Sequence, residues 1–349
     1  MKNNTIHNGR GVQSNPKNRF ESIESTYDYI DELTPSPKTE LIIDHSKTIL
    51  SYNQSPDIPF NVSLNPYRGC EHGCSYCYAR PFHEFLGMSL GLDFETKIMV
   101  KEKAPELLKK ELSAKKWKPQ LISFSGITDP YQPIEKKLKI TRDCLNVLAD
   151  FKNPVAIITK NDMVIRDIDI LKSMAEINTI SVMISITTLN NDLCNKMEPR
   201  TSRPQNRLKA IKELTENGIP TGVMIAPIIP GLNNHEIPKI IEEAKLHGAH
   251  FSGYTLLRLP FAVEQLFENW LQTHFPAKFN KVMSLFSECR DGNIKEKRVH
   301  HRMIGIGKYA KQISDLFYLS IKKYNLTTTG PKLNTAQFKN PNDKQILLF

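Results

Sequence analysis

The sequence has no long apolar run and few cysteines. No stretch of its 349 residues approaches the ~20 consecutive apolar residues that a membrane-spanning helix requires. The first ten residues are polar and lack the apolar core of a secretory signal. Three of the six cysteines crowd into eight residues, a spacing that fits no disulfide framework. A cytoplasmic protein with reduced thiols and no membrane partner is therefore predicted.

No long basic block accompanies the net charge of +10. Lysines and arginines are spread along the chain, and acidic residues are mixed among them. This pattern is typical of the solvated surface of a lysine-rich protein, and it also permits a polyanionic partner such as nucleic acid. Charge alone leaves both interpretations open.

The chain does contain a dense cysteine motif, with three residues between Cys70 and Cys74 and two between Cys74 and Cys77. Thiolates this close in sequence suit one soft-metal centre that all of them can reach. Iron–sulfur clusters normally take four ligands, and no fourth cysteine follows nearby. Three cysteines on a four-iron cluster would leave one iron open to another ligand. The motif therefore predicts that these three residues are metal ligands and that the centre does chemistry.

Zinc is the alternative occupant of this motif. It usually takes a fourth Cys or His at short spacing. His72 lies inside the motif and His83 just beyond it, but His72 would have to fold back between two ligands. The spacing favours an iron–sulfur cluster over zinc.

Predicted strands and helices alternate about six times in the middle of the chain, which favours βαβ units and a parallel sheet. Periodicity alone does not distinguish an open barrel from a doubly wound sheet, but in both the ligand lies at the carboxyl ends of the strands. The predicted strands cover 60–64, 121–125, 154–159, 179–186, 221–226 and 251–256, and the predicted helices 76–86, 104–112, 134–151, 164–175, 204–217 and 235–247.

The flanking regions differ from this alternating core. Residues 1–55 are polar and predict a largely irregular N-terminal arm, with one short strand near 39–44. The core is assigned to 56–260. Helical patterns at 262–272, 278–289 and 303–324 predict a C-terminal helical extension over 261–325, followed by a loose tail at 326–349.

The cysteine motif, with Tyr76 before its last cysteine, resembles that of the radical S-adenosylmethionine (radical SAM) superfamily. The sequence from Asn61 to Arg80 resembles that of a branch of uncharacterised bacterial proteins related to spore photoproduct lyase. The resemblance extends to about Pro260 and implies an α/β fold, a partial (β/α)6 TIM-like barrel.

The resemblance also implies an activity. The open iron of a [4Fe-4S] cluster would be chelated by S-adenosylmethionine, and one electron would cleave it to methionine and a 5′-deoxyadenosyl radical. That radical would abstract a hydrogen atom from a substrate that the sequence does not identify. An external one-electron reductant, flavodoxin- or ferredoxin-like, is implied as a partner.

Polar residues that follow the predicted strands are the candidates for binding S-adenosylmethionine. Hydroxyl, carboxylate and cationic groups there suit its ribose, amino and carboxylate groups. Each of these residues is also common at the end of a strand or in a turn. For Arg200, the alternative to binding the cofactor is a structural ion pair with Glu198. The candidates are Ser125, Thr128, Asp129, Lys160, Ser185, Thr187 and Arg200.

Two further functions remain open at this point. One is a DNA-lesion lyase like spore photoproduct lyase, although that lyase uses a cysteine hydrogen donor and the loop from Leu121 to Glu135 has no cysteine. The other is a non-catalytic metal- or iron–sulfur-containing protein that binds nucleic acid through its basic surface.

Overall fold

The computed structural model describes residues 7, 9–21, 37–124, 126–292, 299 and 301–341. Its main feature is a seven-stranded sheet in the order β10-β9-β8-β7-β6-β3-β2, in which all neighbours are parallel except the antiparallel pair β2 and β3. The strands are β1 (Glu40–Ile43), β2 (Leu50–Tyr52), β3 (Val62–Leu64), β4 (Tyr67–Arg68), β5 (Lys97–Val100), β6 (Ile122–Phe124), β7 (Val155–Thr159), β8 (Ile180–Ser185), β9 (Thr221–Ile228) and β10 (Phe251–Leu256).

The six parallel strands form the predicted partial barrel. Within the described residues its edge strands β2 and β10 are not paired with each other, so the sheet stays open. Thr327 forms an isolated parallel bridge with Phe251 beside β10. The fold is thus a partial TIM-like barrel, in which the carboxyl ends of the parallel strands meet at one edge.

Helices follow the parallel strands and bury one face against the sheet. In the helix Ile140–Asp150 after β6, Ile140, Cys144, Leu145 and Leu148 are among the buried residues. The helices are α1 (Leu92–Thr96), α2 (Ala104–Leu112), α3 (Glu135–Leu138), α4 (Ile140–Asp150), α5 (Ile168–Glu176), α6 (Asn191–Met197), α7 (Pro204–Glu216), α8 (Ile237–Leu246), α9 (Val263–His274), α10 (Phe279–Glu288), α11 (His301–Ile304) and α12 (Gly307–Tyr324).

Several predicted helices are divided or shortened. The prediction of one helix over 134–151 is wrong because Lys139 adopts a left-handed conformation, φ 57°, between α3 and α4. The helix predicted over 76–86 is a 3-10 helix that begins only at Arg80, with Pro81 in its first turn. Asn161 caps the short helix Asp162–Asp167 by accepting a hydrogen bond from the Met163 amide.

The connection from β3 to β6 is the longest crossover in the sheet and contains the cysteine motif. Its strands β4 and β5 form a small sheet with β1, which precedes β2 in the chain, in the order β1-β5-β4, in which β1 and β5 are parallel. The predicted strand near 39–44 is therefore present as β1, whereas β4 and β5 were not predicted.

The predicted C-terminal helices are present as α9 to α12. Side chains of α9 and α10 form an apolar cluster with the loops that follow β8, β9 and β10, and Cys74 and Tyr76 belong to the same cluster. The Trp270 indole donates a 2.7 Å hydrogen bond to the Lys196 carbonyl. The helical extension therefore packs against the cysteine motif. Across the described ranges, no helix has the length and apolarity of a membrane span.

Candidate active site

The loop formed by residues 70–77 is anchored to two distant parts of the chain. The Cys70 amide donates to the Phe94 carbonyl at 2.9 Å, and the Ser75 amide donates to the Met197 carbonyl at 3.0 Å. One contact fixes the loop to the crossover and the other fixes it to the end of α6. The cysteines are therefore carried on backbone with a defined path.

A second anchor is the N-terminal arm, which crosses the cysteine loop at two glycines. A side-chain Cβ at Gly11 would lie 1.5 Å from the Gly73 carbonyl oxygen. Gly73 has φ +65°, and a Cβ there would lie 2.6 Å from a Glu95 carboxylate oxygen. Only glycine permits this close approach at both positions.

Arg80 and Glu95 form a buried ion pair under the loop, at 2.5 Å. The Arg80 guanidinium also donates two hydrogen bonds to the Cys74 carbonyl, at 2.8 and 3.1 Å. The Glu95 carboxylate accepts the Gly11 and Val12 amides, at 3.0 and 3.2 Å. Because every partner is buried, loss of either charge would leave the other uncompensated.

Two of the three thiols, those of Cys74 and Cys77, lie in surroundings that disfavour free thiolates. Cys70 and Cys74 are buried and Cys77 is half-buried, and all three are free. Burial raises the pKa of Cys74 well above its ordinary value, and the charge of Glu198 adds to this effect. Burial also raises the pKa of Cys77, to about 11. Because the thiolate is the form that binds iron, metal binding would have to release these protons.

The donor set of the cysteine loop suits an iron–sulfur cluster. In the part of the chain that the structure describes, no three His, Cys, Asp or Glu side chains surround the position of a single metal ion. In a four-iron cluster each cysteine binds a different iron, so the thiols lie further apart than the ligands of one zinc ion.

His72 connects the cysteine loop to the loop after β6. Its Nδ1 lies 3.4 Å from Asp129 Oδ2, and its ring also forms a hydrogen bond with the Cys70 thiol. Burial opposes protonation, but the charges of Asp129 and Cys70 raise the His72 pKa to about 10. The imidazole thus joins the cysteine loop to Asp129. A zinc site would instead require His72 to fold back as a fourth metal ligand.

Asp129 was predicted to bind S-adenosylmethionine, and in this chain it has several internal donors. Its carboxylate accepts the Tyr131 amide at 2.9 Å, the Thr159 hydroxyl at 2.7 Å and the Lys160 amide at 2.7 Å. These bonds join the ends of β6 and β7. Asp129 therefore lies at the predicted edge of the sheet as part of a rigid turn.

Thr128 lies in a loop that is held by Asn65. The Asn65 side-chain oxygen accepts the backbone amides of Gly126 and Ile127, at 3.1 and 2.9 Å, and that of Thr128 at 3.4 Å. The buried Thr128 hydroxyl donates to the Tyr67 carbonyl at 3.1 Å. Its hydroxyl thus has a structural partner within the loop.

Lys160, Thr187 and Tyr76 converge on the carboxylate of Glu198, and we call these four residues the Glu198 hub. Lys160 Nζ lies 3.0 Å from Glu198 and donates to Thr187 at 3.0 Å and to the Ala226 carbonyl at 2.9 Å. The Thr187 hydroxyl donates to Glu198 at 2.6 Å, and the Tyr76 hydroxyl also donates to this carboxylate. Two predicted residues are therefore brought together with a tyrosine of the cysteine motif.

Arg207 holds the second oxygen of Glu198. Its guanidinium pairs with this carboxylate at 2.5 Å and donates to the Ser185 carbonyl at 2.9 Å. Burial opposes the charge of Glu198, but Arg207 and Lys160 together lower its pKa well below the ordinary range. Ser185 thus reaches the same network through its backbone.

Arg200 lies away from the Glu198 hub. It pairs with Glu71 at 3.3 Å and donates to the Thr39 hydroxyl at 3.3 Å, on the other side of the cysteine loop. The alternative of an Arg200–Glu198 pair is therefore not found, since Arg207 and Lys160 take that role. Ser125, the first candidate after β6, lies outside the described residues.

Sequence reasoning missed the buried charged residues that organise the site, namely His72, Arg80, Glu95, Glu198 and Arg207. Each is nearly inaccessible to solvent. The sequence signal that could have identified Glu198 is the charged segment around it. In that segment, Arg200 was predicted as the functional residue instead. The partners of these residues lie far away in sequence, as in the 122-residue separation of Tyr76 and Glu198, so spacing alone could not pair them.

Comparison with known proteins agrees with this arrangement. The model of the Radical SAM superfamily matches residues 64–244. An uncharacterised protein of Mycobacterium tuberculosis is 30% identical over 233 residues, which cover 66% of this chain and 68% of the relative. An uncharacterised protein of Methanocaldococcus jannaschii is 32% identical over 246 residues, which cover 70% of this chain and 87% of the relative.

Among solved structures, a mutant of spore photoproduct lyase superposes with a TM-score of 0.56. The match covers 81% of this chain and 79% of the lyase, at 16% sequence identity. At this identity the likeness concerns the fold. It extends well beyond the residues matched by the family model, so the partial barrel and much of its surroundings share one architecture.

Proposed function

The chain belongs to the radical SAM superfamily, and from that premise we propose that it holds a [4Fe-4S] cluster on Cys70, Cys74 and Cys77 and cleaves S-adenosylmethionine reductively. The observation that carries the proposal is the buried, doubly anchored loop with three free thiols and no fourth cysteine. Held by these three cysteines, a cluster would supply the electron for reductive cleavage of S-adenosylmethionine to methionine and a 5′-deoxyadenosyl radical.

The edge formed by the ends of β6, β7 and β8 is the proposed binding site for S-adenosylmethionine. Asp129, Lys160, Ser185 and Thr187 belong to this edge, and Ser125 is the residue that directly follows β6 in the sequence. Their many internal bonds support a role in fixing the shape of the pocket, because a preorganised polar edge loses little freedom when a ligand binds. Thr128 and Arg200 are assigned supporting positions around the loop.

The N-terminal arm and the C-terminal helices are proposed to exclude water from the centre. The arm covers Gly73 through Gly11, and α9 and α10 pack on Cys74 and Tyr76. Exclusion of water protects a reactive radical from side reactions. Electrons would come from an external flavodoxin- or ferredoxin-like protein, in a cytoplasm that keeps the thiols reduced.

The test is turnover of S-adenosylmethionine by protein that has been reconstituted with iron and sulfide without oxygen. With a chemical reductant, the wild type should release 5′-deoxyadenosine and methionine in equal amounts. Cys74→Ala should abolish both products, whereas Cys144→Ala, a change at a buried cysteine of α4, should leave them near the wild-type level. A wild type that binds iron yet forms neither product would contradict the proposal and favour a non-catalytic metal protein.

A further inference from the structure

Four phenylalanines from three separate parts of the chain form one exposed surface, which we call the phenylalanine patch. They are Phe20 of the arm, Phe82 and Phe85 of the 3-10 helix after the cysteine loop, and Phe261 after β10. Each is between 48 and 67% exposed. A single exposed aromatic residue is ordinary, but four that converge mark a binding surface.

The rings are fixed in place by contacts with one another and with Arg19. Phe20 and Phe85 stack at a centroid distance of 4.9 Å, and Phe82 lies 6.5 Å from Phe85. The Arg19 guanidinium lies 3.6 Å from the centre of the Phe261 ring and 5.1 Å from that of Phe20. The patch therefore presents ordered ring faces at little further entropic cost.

The backbone of Phe261 is strained in a way that keeps its ring on the surface. Its φ is +55°, a left-handed conformation that bulky residues rarely adopt. Such strain persists where surrounding structure enforces it, and it is concentrated at functional sites. Phe261 also follows the carboxyl end of β10, so it places the patch at the mouth of the barrel.

A cation without a carboxylate partner lies at the same mouth. Arg258, three residues before Phe261, is half-buried, and none of the described carboxylates lies within ion-pair distance of it. Its guanidinium lies 5.5 Å from the centre of the Tyr78 ring, which follows the last cysteine and is 46% exposed. Burial and the neighbouring charge of Arg302 lower the Arg258 pKa, and Tyr78 and Asp57 offset only part of this shift, so an incoming anion would relieve an existing electrostatic cost.

We propose that the phenylalanine patch and Arg258 bind a single strand of nucleic acid, with unpaired bases stacked on the rings and a phosphate at the guanidinium. Flat aromatic faces beside arginines are the features that proteins use to bind single strands without sequence preference. The chain's net charge of +10 favours such a polyanion. This inference rests on the proposed function, because it names nucleic acid as the substrate class brought to the barrel mouth.

The geometry favours this occupant over a protein partner. Two acidic residues close to these side chains are already paired, Glu84 with Arg19 at 2.7 Å and Asp57 with Arg302. Within the described residues, the surface therefore offers aromatic faces and a guanidinium, that of Arg258, with no carboxylate in ion-pair distance. A phosphate joined to a base matches both parts at once.

The test is fluorescence anisotropy with a labelled single strand of about 20 deoxythymidines, titrated with reconstituted protein in the absence of S-adenosylmethionine. Phe85→Leu should weaken binding about tenfold through the loss of stacking. Arg258→Gln should weaken binding and lower the slope of log affinity against log salt by about one. Tyr318→Leu, which removes an aromatic ring that is 53% exposed on α12, against 67% for Phe85, should bind like the wild type.

A matched RNA strand tests which sugar is preferred, and a matched duplex should bind more weakly because its bases are paired. Equal affinity of wild type and Phe85→Leu, an equal loss in Tyr318→Leu, or equal binding of the duplex would overturn the inference. The inference would also be overturned if the wild type did not bind the strand but formed a dimer, and if Phe85→Leu made that dimer dissociate. The surface would then bind a second copy of the chain. The cluster's spectral response to S-adenosylmethionine, measured on the same samples, separates failure of this inference from failure of the proposed function.

Discussion

At the scale of single residues, buried charges decide the shape of the site. Glu198 receives Arg207, Lys160, Thr187 and Tyr76 on two carboxylate oxygens, and its surroundings are closed to solvent. A buried carboxylate of this kind is tolerated only because its partners compensate the loss of water. Tyr76 precedes the last cysteine, so the same carboxylate also fixes the cysteine loop to the strand ends.

Removal of this charge should be costly. Glu198→Gln keeps the shape of the side chain but leaves the Arg207 guanidinium without a buried counter-charge, so the free energy of unfolding should fall by about 3–5 kcal/mol. Urea denaturation of the metal-free protein measures this change. Glu216→Gln, which breaks an exposed pair with Lys212, serves as the control and should change stability by less than about 0.5 kcal/mol. Equal effects of the two substitutions would refute the role assigned to Glu198.

His83 predicts a pH dependence of stability. Burial lowers its pKa to about 4, and Nε2 has no hydrogen-bond partner among the described residues. The folded state therefore keeps the ring neutral, while the unfolded chain protonates it near its ordinary pKa of about 6.5. The resulting stability is fully present above that value and is lost as the pH falls toward 4.

The measurement is the free energy of unfolding at pH 7 and pH 5 for the wild type and for His83→Gln. The wild type should lose about 2 kcal/mol more than the variant over this interval. Comparison of the two proteins cancels the contributions of other titrating groups. A parallel pH dependence in both would show that His83 is not the group responsible.

At the scale of elements, the cysteine loop is an insertion that its neighbours hold in place. The small sheet supports it from one side, the arm crosses it at Gly11, and the end of α6 binds it at Ser75. None of these supports is itself a metal ligand. They restrict the loop before any metal arrives, and such positioning of ligands tunes a metal site.

Gly11 is the most sensitive point of the arm. Gly11→Ala places a methyl group against the Gly73 carbonyl and should displace the arm, which would also remove two amide donors from Glu95. We expect a loss of about 1–3 kcal/mol of stability and faster alkylation of the motif cysteines in the metal-free protein. Ser14→Ala, an exposed change in the same arm, is the control. Unchanged alkylation in Gly11→Ala would mean that the arm does not cover the loop.

Strands were predictable from the sequence where an apolar run had sharp ends. The run from Val155 to Thr159, which is apolar up to its last residue, became β7, because buried parallel strands need continuous apolar side chains. Helix interruptions were not predictable in the same way. Lys139 has no sequence signal for a left-handed backbone, and only its place between α3 and α4 explains the break.

The cysteine ligands were predicted from local spacing, whereas the surrounding charges were not. A pattern of three cysteines within eight residues carries its chemistry in one segment. The Glu198 hub instead joins the cysteine loop with residues near the ends of β7 and β8 and with α7. Its existence follows from the parallel sheet, which brings strand ends together that are far apart along the chain.

At the scale of the whole molecule, the barrel and the helical extension share an apolar cluster. Phe267 and Trp270 of α9 are buried in it beside Leu257, and Cys74 belongs to the same cluster. The extension is therefore attached through packing rather than through a flexible connection. Loss of that packing should therefore destabilise the cysteine loop as well.

Trp270→Ala tests this attachment. Removal of a buried indole and its hydrogen bond should cost about 3–5 kcal/mol, in a single unfolding transition that includes the barrel. Differential scanning calorimetry of the wild type and variant measures it, with the exposed Tyr318→Ala on α12 as the control. A separate early transition for the C-terminal helices would show instead that they unfold independently of the barrel.

The most direct test of the account is electron paramagnetic resonance of the reduced, reconstituted protein before and after addition of S-adenosylmethionine. Three cysteine ligands leave one iron free for the sulfonium compound, so the account predicts about four irons per chain and a spectrum that changes when S-adenosylmethionine is added. A spectrum that does not respond, or protein that contains stoichiometric zinc and negligible iron, would contradict it.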